Sequence, residues 1–482
     1  MAAESKRVTW SLDEEGGFDP RLGIPAQPTD SLSRPQKPVK LTIFSMIQDV
    51  SVEKHFASGR LTTAEDIHRA VFEELDLPED CKEVFSVWLS SKHLQLQLKP
   101  YHCPCKLFKR WKDLLTQFTS VPYKEMDEDE PILVFQRNVF YHLKEERKLL
   151  SKTKGADTKM VDQMKKVIDH LYWEAKVNVV QGRYPMTPEE LHTLAGYQAA
   201  IDLGPYSADT ATPHHIKQHL PSLYPKHMLG SSPKKLFRSS SERLENKLLE
   251  SYQAASQKSS DVFNIKVLYL QLCWSKPVYG SVFFWGQIER PSKLVHKIAY
   301  HDKPVLLAIN PDCIHLFGAE QPPETLLYLT YDQLSWAFEP STEEGENFYS
   351  CLWVEFDSFI RGPNGEDQRV AKRTQIFSRQ APMMDAMIEL CVENINIKEA
   401  TLRRVKKDQE NASDLPQLPH YVWKSGDQKL KQSPNCKEDK LVCTVISEEG
   451  KVIEPVSRLG SLKRQRKPDE TMSGLSPPPL DK

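Results

Sequence analysis

Residues 168–206 read IDHLYWEAKVNVVQGRYPMTPEELHTLAGYQAAIDLGPY, and the punctuation of this stretch decides the fold. Ile168, Leu171, Tyr172, Ala175, Val179 and Val180 recur at helical spacing, with Glu174, Lys176 and Asn178 mostly on the other face. Gly182 suits the left-handed position that ends a helix, and Pro185 cannot continue one. Thr187-Pro188-Glu189-Glu190 then opens a second helix, with a hydroxyl cap, a proline in the first turn and two carboxylates at the positive end. Leu191, Leu194, Ala195, Gln198 and Ala199 form its stripe, and Leu203-Gly204-Pro205 closes it. This pattern predicts an antiparallel helix pair.

On the N-terminal side the period changes to two. Leu41 to Ile47 and Ser51 to Phe56 read as a hairpin, Thr63 caps a helix carrying Ile67, Ala70, Val71 and Leu75, and Val84–Leu89 and Leu94–Leu98 read as strands. A helix over Phe108–Phe118 and a strand over Pro131–Phe135 complete the order of a ubiquitin-like roll. A charged helix over Asn138–Asp157 leads into the helical region, and another runs through Leu244, Leu248 and Tyr252. From Phe263 the texture predicts strands: Val267–Trp274, Gly280–Ile288, Val305–Ile309, Cys313–Phe317, Thr325–Leu329, Leu334–Phe338, Cys351–Phe356 and Arg373–Phe377. Met384, Met387, Ile388, Cys391 and Ile395 then place a closing helix over Ala381–Ile397.

The whole chain has 482 residues, which favours about three domains, and its 39% hydrophobic content argues for ordered lobes with polar ends. With 64 basic against 66 acidic residues the net charge is −2, so there is no bulk electrostatic case for nucleic acid. Nine scattered cysteines suit a reducing compartment. No apolar leader opens the sequence and no stretch approaches ~18 apolar residues, so a soluble chain with peripheral membrane contact is expected.

The cysteines and histidines form no catalytic signature. His102-Cys103 lacks the glycines and arginine of a phosphatase loop, and Cys103-Pro104-Cys105 is one residue too tight for a redox or zinc pair. His214, His215 and His219 have no cysteine or carboxylate at ligand spacing. Kinase, P-loop, hydrolase-elbow and zinc-protease motifs are missing, so a non-enzyme without cofactor or metal is expected.

The wording "LYWEAKVNVVQGRYP…LHTLAGYQAAIDLGPY" resembles the central helical lobe of FERM domains, and "AINPDCIHLF" and "QLSWAFEP" resemble strands of their third lobe. The resemblance implies an α+β multidomain fold: a three-lobed FERM assembly of a ubiquitin-like roll, a helical acyl-CoA-binding-protein-like bundle and a PH/PTB-like β-sandwich, with disordered termini. The corresponding bounds are a disordered 1–39, lobes at 40–137, 138–262 and 263–400, and a disordered basic tail at 401–482. "VWLSSKHLQLQLKPYHCP" and "CWSKPVYGSVFFWGQI" are most similar to two FERM branches, the FERM domain-containing protein 8 (Bili) type and the Krev-interaction-trapped type. The short N-terminal segment and the lack of an ankyrin period favour the first.

That resemblance implies an adaptor at the cytosolic face of the plasma membrane. Its partners would be cytoplasmic tails of transmembrane proteins, such as inactive rhomboids in a sheddase complex or a Wnt co-receptor. A Rap-type small GTPase, or a phosphoinositide-dependent link to the cytoskeleton, is the alternative. A peptide would add to the edge Leu334, Ser335, Trp336, Ala337, Phe338 against the helix face Met383, Met387, Leu390. Lys106, Lys109, Arg110 and Lys112 are candidate lipid contacts, and Ser240, Ser241 and Ser461 candidate phosphorylation sites beside basic residues.

Overall fold

The computed structural model describes residues 37–153, 157–209, 211–229, 244–288, 303–320, 323–341, 349–361, 367–408, 436–447 and 452–454. The first lobe comprises β1 (Val39–Ser45), β2 (Ser51–Phe56), α1 (Ala64–Glu74), β3 (Phe85–Ser90), β4 (Gln95–Gln97), α2 (Pro104–Lys109), α3 (Trp111–Phe118), α4 (Tyr123–Met126) and β5 (Ile132–Arg137). Its sheet runs β2-β1-β5-β3-β4, parallel only between β1 and β5. Thr63 and Asp66 close a reciprocal capping box that starts α1, which buries Ile67, Val71 and Phe72. The single helix expected over Phe108–Phe118 is two, because Arg110 leaves helical geometry (φ −103, ψ 14) between them.

The helical lobe holds α5 (Leu143–Leu149), α6 (Thr158–Val180), α7 (Pro188–Asp202), the short α8 (Pro213–Lys217), α9 (Leu220–Leu223) and α10 (Lys226–Leu229), then α11 (Leu244–Lys258) and α12 (Val262–Trp274). The punctuation behaves as its chemistry requires. Gly182 adopts φ +71 after α6, and Thr187 and Glu190 form a capping box at the start of α7. The pair α6–α7 is not a simple hairpin, because α12 packs against both helices. α7 also packs closely on α11, where a Cβ at Gly196 would stand 2.5 Å from the Ser251 backbone.

Val267–Trp274, expected as the first strand of the third lobe, is the body of α12. Its apolar run fits either structure by composition. The helix is decided by Asp261, whose carboxylate accepts from the Phe263 amide, and by the helical spacing of the buried Ile265, Tyr269, Leu270, Cys273 and Trp274. Being covered by other helices, it lacks the polar face that marks a surface helix.

The third lobe follows with β6 (Val282–Ile288), β7 (Lys303–Ile309), β8 (Cys313–Gly318), β9 (Thr325–Thr330), β10 (Leu334–Glu339), β11 (Cys351–Arg361), β12 (Asp367–Phe377) and α13 (Ala381–Asp408). The antiparallel order is β10-β11-β12-β6-β7-β8-β9, with β12 meeting β6 only at Phe377 and Gln287. α13 outruns the expected end at Ile397, so the basic run of Arg403 to Lys407 lies inside it. The expectation of disorder throughout 401–482 is also corrected: β13 (Thr444–Ile446) and β14 (Val452–Glu454) pair with each other, and β13 joins β12.

The buried cores ignore lobe boundaries. Ala308 and Phe317 of the sandwich belong to the cluster that fills the first two lobes. Trp88, Val134 and Val139 belong to the cluster that fills the sandwich.

Candidate interaction groove

β10 pairs with β11 in a single register, from Leu334 opposite Phe356 to Glu339 opposite Cys351. Among the described residues no strand lies on its other side. Period-two alternation sends Leu334 into the core and half-buries Trp336 and Phe338, while Ser335, Ala337 and Glu339 are exposed. α13 packs across β10 and β11 and forms the facing wall. The Trp336 indole N–H donates to Asp385 on α13 at 3.0 Å, which ties strand to helix. Burial pushes the Asp385 carboxyl up, against the opposing pull of that hydrogen bond.

The start of α13 is anchored by a small relay. The Gln380 side-chain oxygen accepts from the Trp285 amide at 3.0 Å, and the Ser378 hydroxyl accepts from the Gln380 amide at 2.9 Å while donating to the Trp285 carbonyl at 2.5 Å. The groove is therefore bounded by an edge strand and by a helix fixed at its N-terminal end.

The eight residues expected here do not share one environment. Leu334 (3% exposed) and Met387 (8%) are core, the latter beside Met384, Ile388 and Cys391. Helical spacing explains this, because the turn that points Met384 and Ile388 inward carries Met387 with them. Met383 and Leu390 are half-buried, but two residues before and five after Asp385 they lie on the other side of α13, and Met383 packs against both cores, so Trp336 and Phe338 are the apolar side chains of β10 that can meet a ligand. Asp385 was not foreseen, since no local pattern connects residue 336 to residue 385.

Lys106 and Lys109 are half-buried on α2, while Arg110 faces Asp113 at 3.6 Å and Lys112 is paired with Asp127. α3, which carries Lys112, touches the third lobe: the Arg379 guanidinium donates to the Thr116 carbonyl at 2.8 Å, and Ser120 and Tyr349 share a 3.1 Å hydrogen bond. Ser240, Ser241 and Ser461 lie outside the described residues. His214 and His215 sit on α8, and no group of side chains suited to a metal ion occurs among the described residues. No helix among them is long and apolar enough to cross a membrane.

The three lobes meet at Arg137, the last residue of β5. Its guanidinium donates to Glu146 of α5 at 2.7 Å, to the Tyr141 carbonyl at 2.6 Å and to the Gly280 carbonyl at 3.4 Å. Glu146 is fully buried and accepts in addition from the Trp274 indole at 2.7 Å and the Tyr279 hydroxyl at 2.5 Å. Glu174 of α6 accepts from the Arg137 backbone amide at 2.8 Å, and burial pushes its carboxyl up to about 7. A cavity of about 40 Å³ remains at this junction, lined by Arg137, Glu174, Asn178, Arg183 and Gly280 among others.

Comparison with known proteins follows this architecture. The FERM central domain family matches residues 160–284, a span that includes α12. The chain is 31% identical over 361 residues to FERM domain-containing protein 8 of Xenopus tropicalis, covering 73% of this chain and 75% of that protein. It is 34% identical over 343 residues to FERM domain-containing protein 8 of Homo sapiens, covering 69% of this chain and 68% of that protein. Among solved structures, the complex of the FERM and C-terminal domains of Drosophila Merlin aligns with a TM-score of 0.44 at 12% identity, covering 78% of this chain and 100% of that one.

Proposed function

Because the chain belongs to the FERM domain-containing protein 8 family, we propose that this FERM scaffold holds the cytoplasmic tail of a membrane protein as an added strand on β10. One observation supports the reading: β10 is hydrogen-bonded to β11 on one side, has no strand on the other among the described residues, and is tied to α13 through Trp336 and Asp385. An extended peptide laid there gains main-chain hydrogen bonds from the strand, while its alternate side chains meet Trp336 and Phe338. Nothing in this arrangement calls for catalysis, and we read the chain as non-enzymatic.

The proposed occupant is the cytoplasmic segment of an inactive rhomboid, which would place the scaffold in a sheddase complex at the cytosolic face of the plasma membrane. A Wnt co-receptor tail is the second candidate of the same class. A GTPase on the edge of β2 has less support, since Glu53 there pairs with Lys40 of β1 at 2.7 Å and Lys54 with Glu74 of α1 at 2.5 Å, which leaves no bare basic strip at those two residues.

The test is a pair of substitutions read by binding. Proline at whichever of Trp336 and Ala337 has its amide pointing away from β11 removes a backbone donor from the edge, and Asp385→Ala frees the Trp336 indole from the helix wall. Each should weaken capture of the tail at least about tenfold while the melting temperature stays within a few degrees of wild type. Folded variants that bind at wild-type affinity would remove the groove from the proposal.

A further inference from the structure

The third lobe accepts a second strand at a place unrelated to β10. β13 aligns antiparallel with β12, pairing Ala371 with Ile446, Lys372 with Val445 and Arg373 with Thr444. The same three residues of β12 pair with β11 on their other side, so β13 fills the flank that opens where β12 and β6 diverge beyond Phe377. Just before β13, the Lys437 amide donates to the Thr325 carbonyl of β9 at 3.1 Å. The segment thus bridges β9 and β12, across a corner of the sandwich.

The corner is built to receive it. Ser358 and Thr374 are buried hydroxyls, 2% and 1% exposed. Ser358 donates to the Glu438 carboxylate at 3.1 Å, and Thr374 donates to the Val442 carbonyl at 3.2 Å. Lys372, largely buried, reaches Glu438 at 3.4 Å, and Leu441 and Val445 are 7% and 6% exposed. The segment supplies acceptors to two hydroxyls and an ammonium group while its own Leu441 and Val445 are buried against the lobe. We propose that residues 436–446 are an internal ligand of the third lobe, tethered through residues 409–435, which closes the β9–β12 corner and leaves the β10–α13 groove open. This inference does not depend on the identity of any tail partner.

The experiment uses the full chain. Cys443 is half-buried in the docked segment, so its alkylation under native conditions, followed by mass spectrometry, reports docking. In wild type the rate should be at least about tenfold below that of the denatured chain at every protein concentration. Glu438→Lys should raise it about tenfold by facing Lys372 with a like charge, and adding Lys372→Glu should restore protection. A labelled peptide of residues 434–456 should bind Leu441→Asp/Val445→Asp chains, whose own segment is released, and not wild type. Labelling of wild-type Cys443 at the denatured rate would overturn the inference. So would protection that fades on dilution, which would place a second copy's strand at the corner, or equal peptide binding to wild type and variant.

Discussion

At the scale of the residue, Arg137 and Glu146 show how a buried ion pair joins three lobes. Glu146→Leu would leave a guanidinium that is 3% exposed without its carboxylate, and a loss of about 3–5 kcal/mol is expected by urea unfolding. Gly280 is constrained by the same group: it holds φ +70, and a Cβ would stand 2.4 Å from the Arg137 guanidinium. Gly280→Ala should therefore cost at least about 1–3 kcal/mol, although no contact of its own is removed. Glu174, with Arg137, Glu146 and Arg183 around it, sets a pH dependence. Its folded pKa of about 7 lies above the ordinary carboxylate value of 4.5, so the folded state holds the proton more tightly between those limits. The contribution is complete below about pH 4.5 and is lost as pH rises through 7. Wild type should lose more stability than Glu174→Gln between pH 5 and pH 7.5. Parallel stability curves for the two proteins would contradict this role.

At the scale of the element, local chemistry was readable wherever a cap or a special backbone angle fixed the answer. Thr63, Gly182, Thr187 with Glu190, and the alternation along Leu334–Phe338 all did what their residue types require. What could not be read was burial from all sides. α12 looked like a strand because surrounding helices remove the need for a polar face, and its only local mark is the Asp261 cap. The split between Met383 and Met387 depends on the rotation of α13 over β11, which sequence spacing constrains to a face but not to an edge. The segment at β13 does carry a signal, missed in the expectation of a disordered tail: Leu441-Val442-Cys443-Thr444-Val445-Ile446 is a β-prone run, set inside an otherwise polar tail. Asp261→Ala should cost about 1 kcal/mol by removing the cap. Gly196→Ala should cost more, about 1–3 kcal/mol, because α7 and α11 must separate to admit the methyl group. Calorimetry that finds Gly196→Ala neutral would mean that this helix contact yields easily.

At the scale of the whole molecule, the lobes share cores and the Arg137 junction, so they should unfold as one unit. A single thermal transition is expected for the full chain, and Glu146→Leu should lower it for all three lobes together. Separate transitions would mean that the shared clusters couple the lobes only weakly. The two strand-accepting edges divide the third lobe: the β12 flank is met by the chain's own residues 444–446, while β10 faces outward. That division makes β10 the surface on which the proposed function rests. The most direct measurement is hydrogen exchange at the amides of residues 334–339 in the full chain, with and without the cytoplasmic segment of an inactive rhomboid. The account predicts at least about tenfold slower exchange on that strand in the complex, with residues 371–373 unchanged. Tight binding that leaves the exchange of residues 334–339 unaltered would contradict it.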